Sequence, residues 1–157
     1  MDTRLLVAEN PHQQIVGVDL SEQMLIKARQ KLQAFPHVKF QQATVRSLPF
    51  PDRSFDVVIS ANSFHFFDDP LASLREMQRV LKPDGGLVLL DWCRDGWLCQ
   101  LCDLILKWID PAHKQCYTQQ ELHNMLASAQ FQVGRSTRVR LTLIWELMAV
   151  EAAVRYK

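Results

Sequence analysis

The chain has 157 residues, the length of one domain, with 18 Lys plus Arg against 17 Asp plus Glu and a formal net charge of +1. That near-balance excludes electrostatic capture of nucleic acid or of an anionic membrane as the main business of its surface. Apolar residues at 48% and charged residues at 22% fit a folded globular domain rather than a disordered one. No apolar run approaches the ~18 residues of a membrane span, and the N-terminus lacks the basic lead and apolar core of a secretory signal. Four cysteines (Cys93, Cys99, Cys102, Cys116) are too few for a disulfide scaffold, so a reducing cytoplasm is expected.

Two hydrophobic periods alternate along the chain. Ile15 to Asp19 (IVGVD) reads as a short buried strand ending in an acid. Ser21 to Ala34 follows with Met24, Leu25, Ala28 and Leu32 at helical spacing, Ser21 placed as cap and Pro36 closing the segment. Val38 to Gln41 and Phe55 to Ser60 (FDVVIS) read as strands, the latter apolar enough to be buried on both faces. Leu71 to Leu81 is a helix with one inward face. Lys82-Pro83-Asp84-Gly85-Gly86 carries turn chemistry, and Leu87 to Asp91 (LVLLD) is the next strand. Leu98 to Ile109 and Gln119 to Ala129 read as helices, and Phe131 to Arg140 and Thr142 to Ala149 as terminal strands. The alternation in Arg138-Val-Arg-Leu-Thr-Leu predicts that at least one of these is half-exposed and antiparallel. Strand and helix in alternation predict a doubly wound α/β fold with a mostly parallel sheet and helices on both faces. No linker or repeat divides residues 1–157, which are read as a single domain.

In open α/β sheets ligands bind beyond the carboxyl ends of the strands. Asp19 is the sharpest candidate there, since its two oxygens can accept both hydroxyl protons of a ribose. It can equally interact with the dipole of the helix starting at Ser21, and the two roles are compatible. His65 is the best candidate general base, because an imidazole titrates near neutral pH, with packing among Phe64, Phe66 and Phe67 as its alternative. Asp91 is a second candidate base that could instead orient Trp92 or cap a loop. Residues 92–117 hold three of the four tryptophans, all four cysteines and His113. Cys99-x-x-Cys102, His113 and Cys116 superficially offer zinc ligands. The i, i+3 spacing inside LCQLCDLILKWI is better explained as two small apolar residues on one helix face, so no metal is expected. The segment is read as an apolar lid on the substrate side, pointing to an apolar or aromatic small molecule.

VGVDLSEQML (Val16 to Leu25), VRSLPFPDRSFDVVIS (Val45 to Ser60), FHFFDDP (Phe64 to Pro70) and LREMQRVLKPDGGLVLLD (Leu74 to Asp91) together resemble the class I S-adenosylmethionine-dependent methyltransferases, in particular the small-molecule group called type 11. The resemblance implies S-adenosylmethionine as cofactor and methyl transfer to a small-molecule acceptor. It places Asp19 on the ribose hydroxyls and Leu20 against the adenine. Thr44 and Val45 fall where the family reads the adenine edge with an Asp and a small residue, so Thr44 is a departure that offers no charge. Ser60, Ala61 and Asn62 end the strand that runs past the methionine portion, and His65 faces the substrate side. The family's first strand and glycine-rich loop have no counterpart in the fourteen residues before Ile15, where Thr3 to Glu9 resembles the helix that follows that loop. The domain is therefore expected to be incomplete at its N-terminus, through a late annotated start, degeneration, or a partner that supplies the strand. Oligomerisation would cover strand edges left open in this way, although no residue pattern demands it. A catalytically silent module that binds a partner protein is the alternative function. A nicotinamide-dependent oxidoreductase is set aside because no G-x-G-x-x-G is present.

Overall fold

The structure is a computed structural model and describes residues 7–9, 12–110, 112–140 and 146–155. The chain divides into two units, Met1–Pro49 and Phe50–Lys157.

In the first unit, β1 (Ile15–Asp19) pairs in parallel with β2 (Val38–Gln42), in a register running from Ile15 opposite Val38 to Asp19 opposite Gln42. A parallel pair needs a crossover, which α1 (Glu22–Lys31) supplies. Ser21 caps α1 as its sequence position predicts: its backbone is extended and its Oγ accepts from Met24 N at 3.4 Å. Basic Arg29 and Lys31 fall in the last turn, where they oppose the negative end of the helix dipole. Val7, Leu32 and Val38 form the core of this unit, with Ile15, Phe35 and Phe40 packed against it. Of the proposed segment Thr3 to Glu9, residues 7–9 are helical and the rest lie outside the described residues.

The second unit holds a four-stranded sheet of order β3-β4-β6-β5, built from β3 (Phe55–Ala61), β4 (Leu81–Cys93), β5 (Phe131–Arg140) and β6 (Glu146–Val154). β3 and β4 are parallel, joined through α2 (Pro70–Val80), whose cap Asp69 accepts from Ala72 N at 2.9 Å and whose first residue is Pro70. β6 is antiparallel to both β4 and β5, so the sheet is mixed. The antiparallel pairs come at the C-terminal end, where polar and apolar residues alternate. α3 (Trp97–Ile109) and α4 (Gln119–Ser128) follow β4, and Thr118 and Glu121 close a capping box at the start of α4. Among the described residues no helix is long and apolar enough to cross a membrane.

Two sequence expectations shift here. Residues 82–86 do not end the element: β4 starts at Leu81, and the pairing with β3 jumps from Phe55–Leu81 to Val57–Gly86. The turn chemistry survives as a bulge of extra residues within the strand, which suits Pro83 and glycine. A Cβ on Gly85 would stand 2.9 Å from the carbonyl oxygen of Lys82 and 3.1 Å from that of Asp56, so the bulge closes too tightly for a side chain. The last strand runs over Glu146–Val154 rather than Thr142 to Ala149, and residues 141–145 lie outside the described residues. Its period of two places Met148, Val150, Ala152 and Val154 in the interior. Pairing with β4 and β5 on both edges overrides the helical propensity of Glu, Leu, Met and Ala in that stretch.

Candidate functional site

β4 positions the first functional side chain through its period of two. Leu87, Leu89, Asp91 and Cys93 all lie on its buried face, so Asp91 enters the interior as a carboxylate, only 3% exposed. A buried carboxylate must find donors, and Asp91 finds three. Its Oδ2 accepts Phe64 N at 2.7 Å; its Oδ1 accepts Trp92 N at 2.7 Å and lies 2.6 Å from His65 Nδ1. Because the same oxygens already serve two backbone N–H groups, Asp91 acts as acceptor. With Asp91 as the acceptor, the His65 ring donates through Nδ1.

The turn after β3 brings His65 to that acid. Asn62 adopts the left-handed conformation (φ 52°), which Asn tolerates better than most residues, and its N–H donates to Leu90 O at 2.8 Å. Ser60 and Ser63 share a hydroxyl hydrogen bond of 2.8 Å across this turn, and Phe64–Phe66 form a single 3-10 turn. Ser60, Ala61, Asn62, His65 and Asp91 are thus assembled at the adjacent carboxyl ends of two parallel strands. The readings of Asp91 as orienting group and as loop cap are both realised, since it holds the Trp92 and Phe64 amides as well as the His65 ring.

A second buried acid lies nearby in the same unit. Asp103, 2% exposed on α3, takes His113 Nε2 at 2.8 Å and Cys116 N at 2.7 Å on Oδ1, and Lys107 Nζ at 3.0 Å on Oδ2. Burial pushes its carboxyl up, but the Cys116 N–H, His113 and Lys107 together outweigh burial and hold it below the ordinary carboxylate range. Cys116 moves the other way: burial first, then the Asp103 charge, push its thiol up to about 12. Possible ligand atoms of Asp103, His113 and Cys116 lie within 4.8 Å of one another. These contacts close the cluster, the Lys107 ammonium lying on the Asp103 carboxylate. The grouping joins Asp103 to His113 and Cys116, not the Cys99 and Cys102 pair suggested by spacing. Asp103 is the residue that sequence reasoning overlooked. Its signal was a lone acid four residues after Cys99 on the inward face of a largely apolar helix, where only a partnered carboxylate can stay.

A cleft of about 210 Å3 is walled by the two histidines that these acids hold, His65 and His113, with Phe66, Trp92 and Leu106. Asp110 and Cys116 complete its lining, so residues from the 92–117 segment form most of its wall. The His65 and His113 rings lie 5.7 Å apart, centre to centre.

The remaining candidates belong to the first unit, at the carboxyl ends of β1 and β2. Asp19 Oδ1 accepts Ser21 N at 2.8 Å, and Gln42 Nε2 donates to Leu20 O at 3.0 Å, tying the two strand ends together. Leu20 is 70% exposed beside that carboxylate. An apolar side chain left open next to an acid fits a ligand that joins a flat base to a ribose, so these residues suit an adenosine group. Thr44 is spent locally, its Oγ1 accepting Arg46 N at 3.4 Å and its carbonyl accepting Ser47 N at 3.0 Å, with Val45 half-buried in the same turn. Thr44 thus brings no charged group to this strand end.

Comparison with known proteins bears on the family and the fold. The family described as "Methyltransferase domain" matches residues 3–89. The chain is 34% identical over 122 residues to the uncharacterized methyltransferase YcgJ of Bacillus subtilis, covering 75% of this chain and 48% of that protein. It is 46% identical over 83 residues to the demethylmenaquinone methyltransferase of Deinococcus radiodurans, covering 52% of this chain and 34% of that protein. The chain therefore spans between a third and a half of these curated relatives. Its fold matches the crystal structure of a putative methyltransferase from Bacillus halodurans with a TM-score of 0.85 at 19% identity, covering 98% of this chain and 89% of that one. At that identity the likeness shows the fold alone. The family match spans more than half of the chain, which belongs to the class I methyltransferases, a family whose methyl donor is S-adenosylmethionine.

Proposed function

We propose that this chain transfers a methyl group from S-adenosylmethionine to a small apolar or aromatic acceptor, with His65 as the base and Asp91 as the group that orients it. The observation that carries the reading is the buried Asp91–His65 pair on the wall of a cleft whose other residues include Phe66 and Trp92. When bound, S-adenosylmethionine supplies the methyl group as an electrophile, its sulfur keeping the electron pair of the broken bond. Asp19 would hold the ribose hydroxyls and Leu20 the adenine face, with Thr44 and Val45 at the adenine edge and Ser60, Ala61 and Asn62 beside the methionine portion. His65 Nε2 takes the proton that the acceptor atom loses, and Asp91 keeps the ring in the tautomer that can do so. Residues 92–117 serve as the acceptor-side wall and keep water from the reacting atoms. The name of the Deinococcus relative, a demethylmenaquinone methyltransferase, supports an acceptor of apolar, ring-containing character. The four free cysteines suit a reducing cytoplasm.

The test is thermal unfolding of the full chain with and without S-adenosylhomocysteine. At ligand about 100-fold above its dissociation constant, binding adds ~2.7 kcal/mol and raises the midpoint by several degrees. Asp19→Ala should remove that shift. A cooperative transition indifferent to the ligand would replace this reading with that of a silent module binding a partner protein, for which the missing charge at Thr44 is the supporting feature.

A further inference from the structure

His113 repeats the construction of His65. One ring is tied to a buried acid through Nδ1 (Asp91, 2.6 Å) and the other through Nε2 (Asp103, 2.8 Å). Each acid also accepts backbone N–H groups, Phe64 and Trp92 in one case and Cys116 in the other, so each is the acceptor and each ring donates to it. Both rings are 7% exposed and both wall the same cleft. Their relation is fixed by the backbone, because His65 O accepts Lys114 N at 3.0 Å and Gln115 N at 3.2 Å, stitching the loop that carries His113 onto the turn that carries His65. Among the described residues no hydrogen bond is made to the remaining nitrogens, His65 Nε2 and His113 Nδ1. His65 Nε2 and His113 Nδ1 are thus the ring positions left over on two residues that line one cleft together with Phe66 and Trp92.

Resting on the methyltransferase reading above, we propose that the acceptor is an aromatic ring bearing two hydrogen-bond donors, one received by His65 Nε2 and the other by His113 Nδ1. A ligand with one donor meets only one of the two nitrogens, and a site built to receive a donor discriminates against analogues that lack it. The division of labour follows from the reaction. The donor atom on His65 gives its proton to Nε2 as it accepts the methyl group. The donor on His113 keeps its proton throughout and serves to set the angle of the ring. Nε2 then gives that proton to solvent, and the product, which has lost one of the two donors, is held more weakly than the acceptor and leaves.

The experiment uses the full chain with 13C-labelled histidine, titrated with phenol and with its dihydric relatives catechol, resorcinol and hydroquinone, and read by the ring C–H resonances. The best dihydric phenol should bind at least tenfold more tightly than phenol and move the resonances of both His65 and His113. In His113→Phe, which leaves Asp103 its Lys107 and Cys116 partners, the advantage should fall to within about twofold of phenol. Equal binding of all four phenols by the unsubstituted protein overturns the inference, as does an advantage that persists in His113→Phe. The unsubstituted comparison stands even if the variant does not fold. The unfolding shift with S-adenosylhomocysteine is read separately: if it holds while the dihydric preference fails, only this inference falls. If the preference holds without the shift, the cleft stands and the cofactor reading falls.

Discussion

Replacing Asp91 by Ala is the sharpest test of how this site is held. The substitution removes the acceptor of three short hydrogen bonds and leaves the Phe64 amide, the Trp92 amide and the His65 ring without it. Each buried donor stripped of its partner costs ~1–3 kcal/mol, and three donors lose theirs here. Relaxation of the turn offsets part of that sum, so the expected destabilisation is ~3–5 kcal/mol, or a midpoint fall of roughly ten degrees in a chain of this size. Asp91→Asn should cost less, ~2 kcal/mol, because an amide oxygen still serves one side while its NH2 meets a donor on the other. Urea unfolding at pH 7 measures both, with an unchanged denaturant slope showing that the folded state keeps its compactness. A cycle with His65→Ala isolates the pair itself: residues in direct contact should couple by ~1 kcal/mol or more. A cost below ~1 kcal/mol for Asp91→Ala, or additivity within error in the cycle, would refute the claim that Asp91 holds the turn and the imidazole together.

Two further outcomes follow from the second acid and its thiol neighbour. Asp103 is held below the ordinary carboxylate range in the folded chain and returns to it on unfolding, so its contribution is present above that range and is lost as pH falls through its folded value. Urea midpoints between pH 7 and pH 3 should therefore fall more steeply for the unsubstituted chain than for Asp103→Asn, and equal slopes would sink the assignment. Cys93 and Cys116 are buried, with thiols pushed up chiefly by burial to about 11 and about 12. At pH 8 a disulfide reagent should label half-buried Cys102 first and reach those two only after denaturant is added; native labelling of Cys116 at the rate of Cys102 would contradict the closed cluster.

What the sequence discloses about this site depends on how local the cause is. Ser21 as a cap and the length of IVGVD depend on neighbours a few residues away, and both are found where the pattern puts them. The bulge at 82–86 has local turn chemistry but a non-local reason, namely the register of β4 against β3, so the residues were legible and their role as part of a strand was not. The end of β6 was missed because its partners are β4 and β5, which no window along the chain contains. His65 and Asp91 were each singled out, yet as rival bases, since a separation of 26 positions hides that one holds the other. Strand period would have linked them. Once Leu87 and Leu89 are assigned to the interior, Asp91 must point there too, and a carboxylate in that position requires donors from the loop beyond the neighbouring parallel strand, where His65 stands. The same reasoning on a helix leads to Asp103, which shares a face with Cys99 and Leu106 and whose partners must come from the segment that closes over that face. An acid at an interior position of an apolar pattern is therefore the most informative mark in this sequence. Among the described residues both buried acids hold a histidine, and both histidines line one cleft.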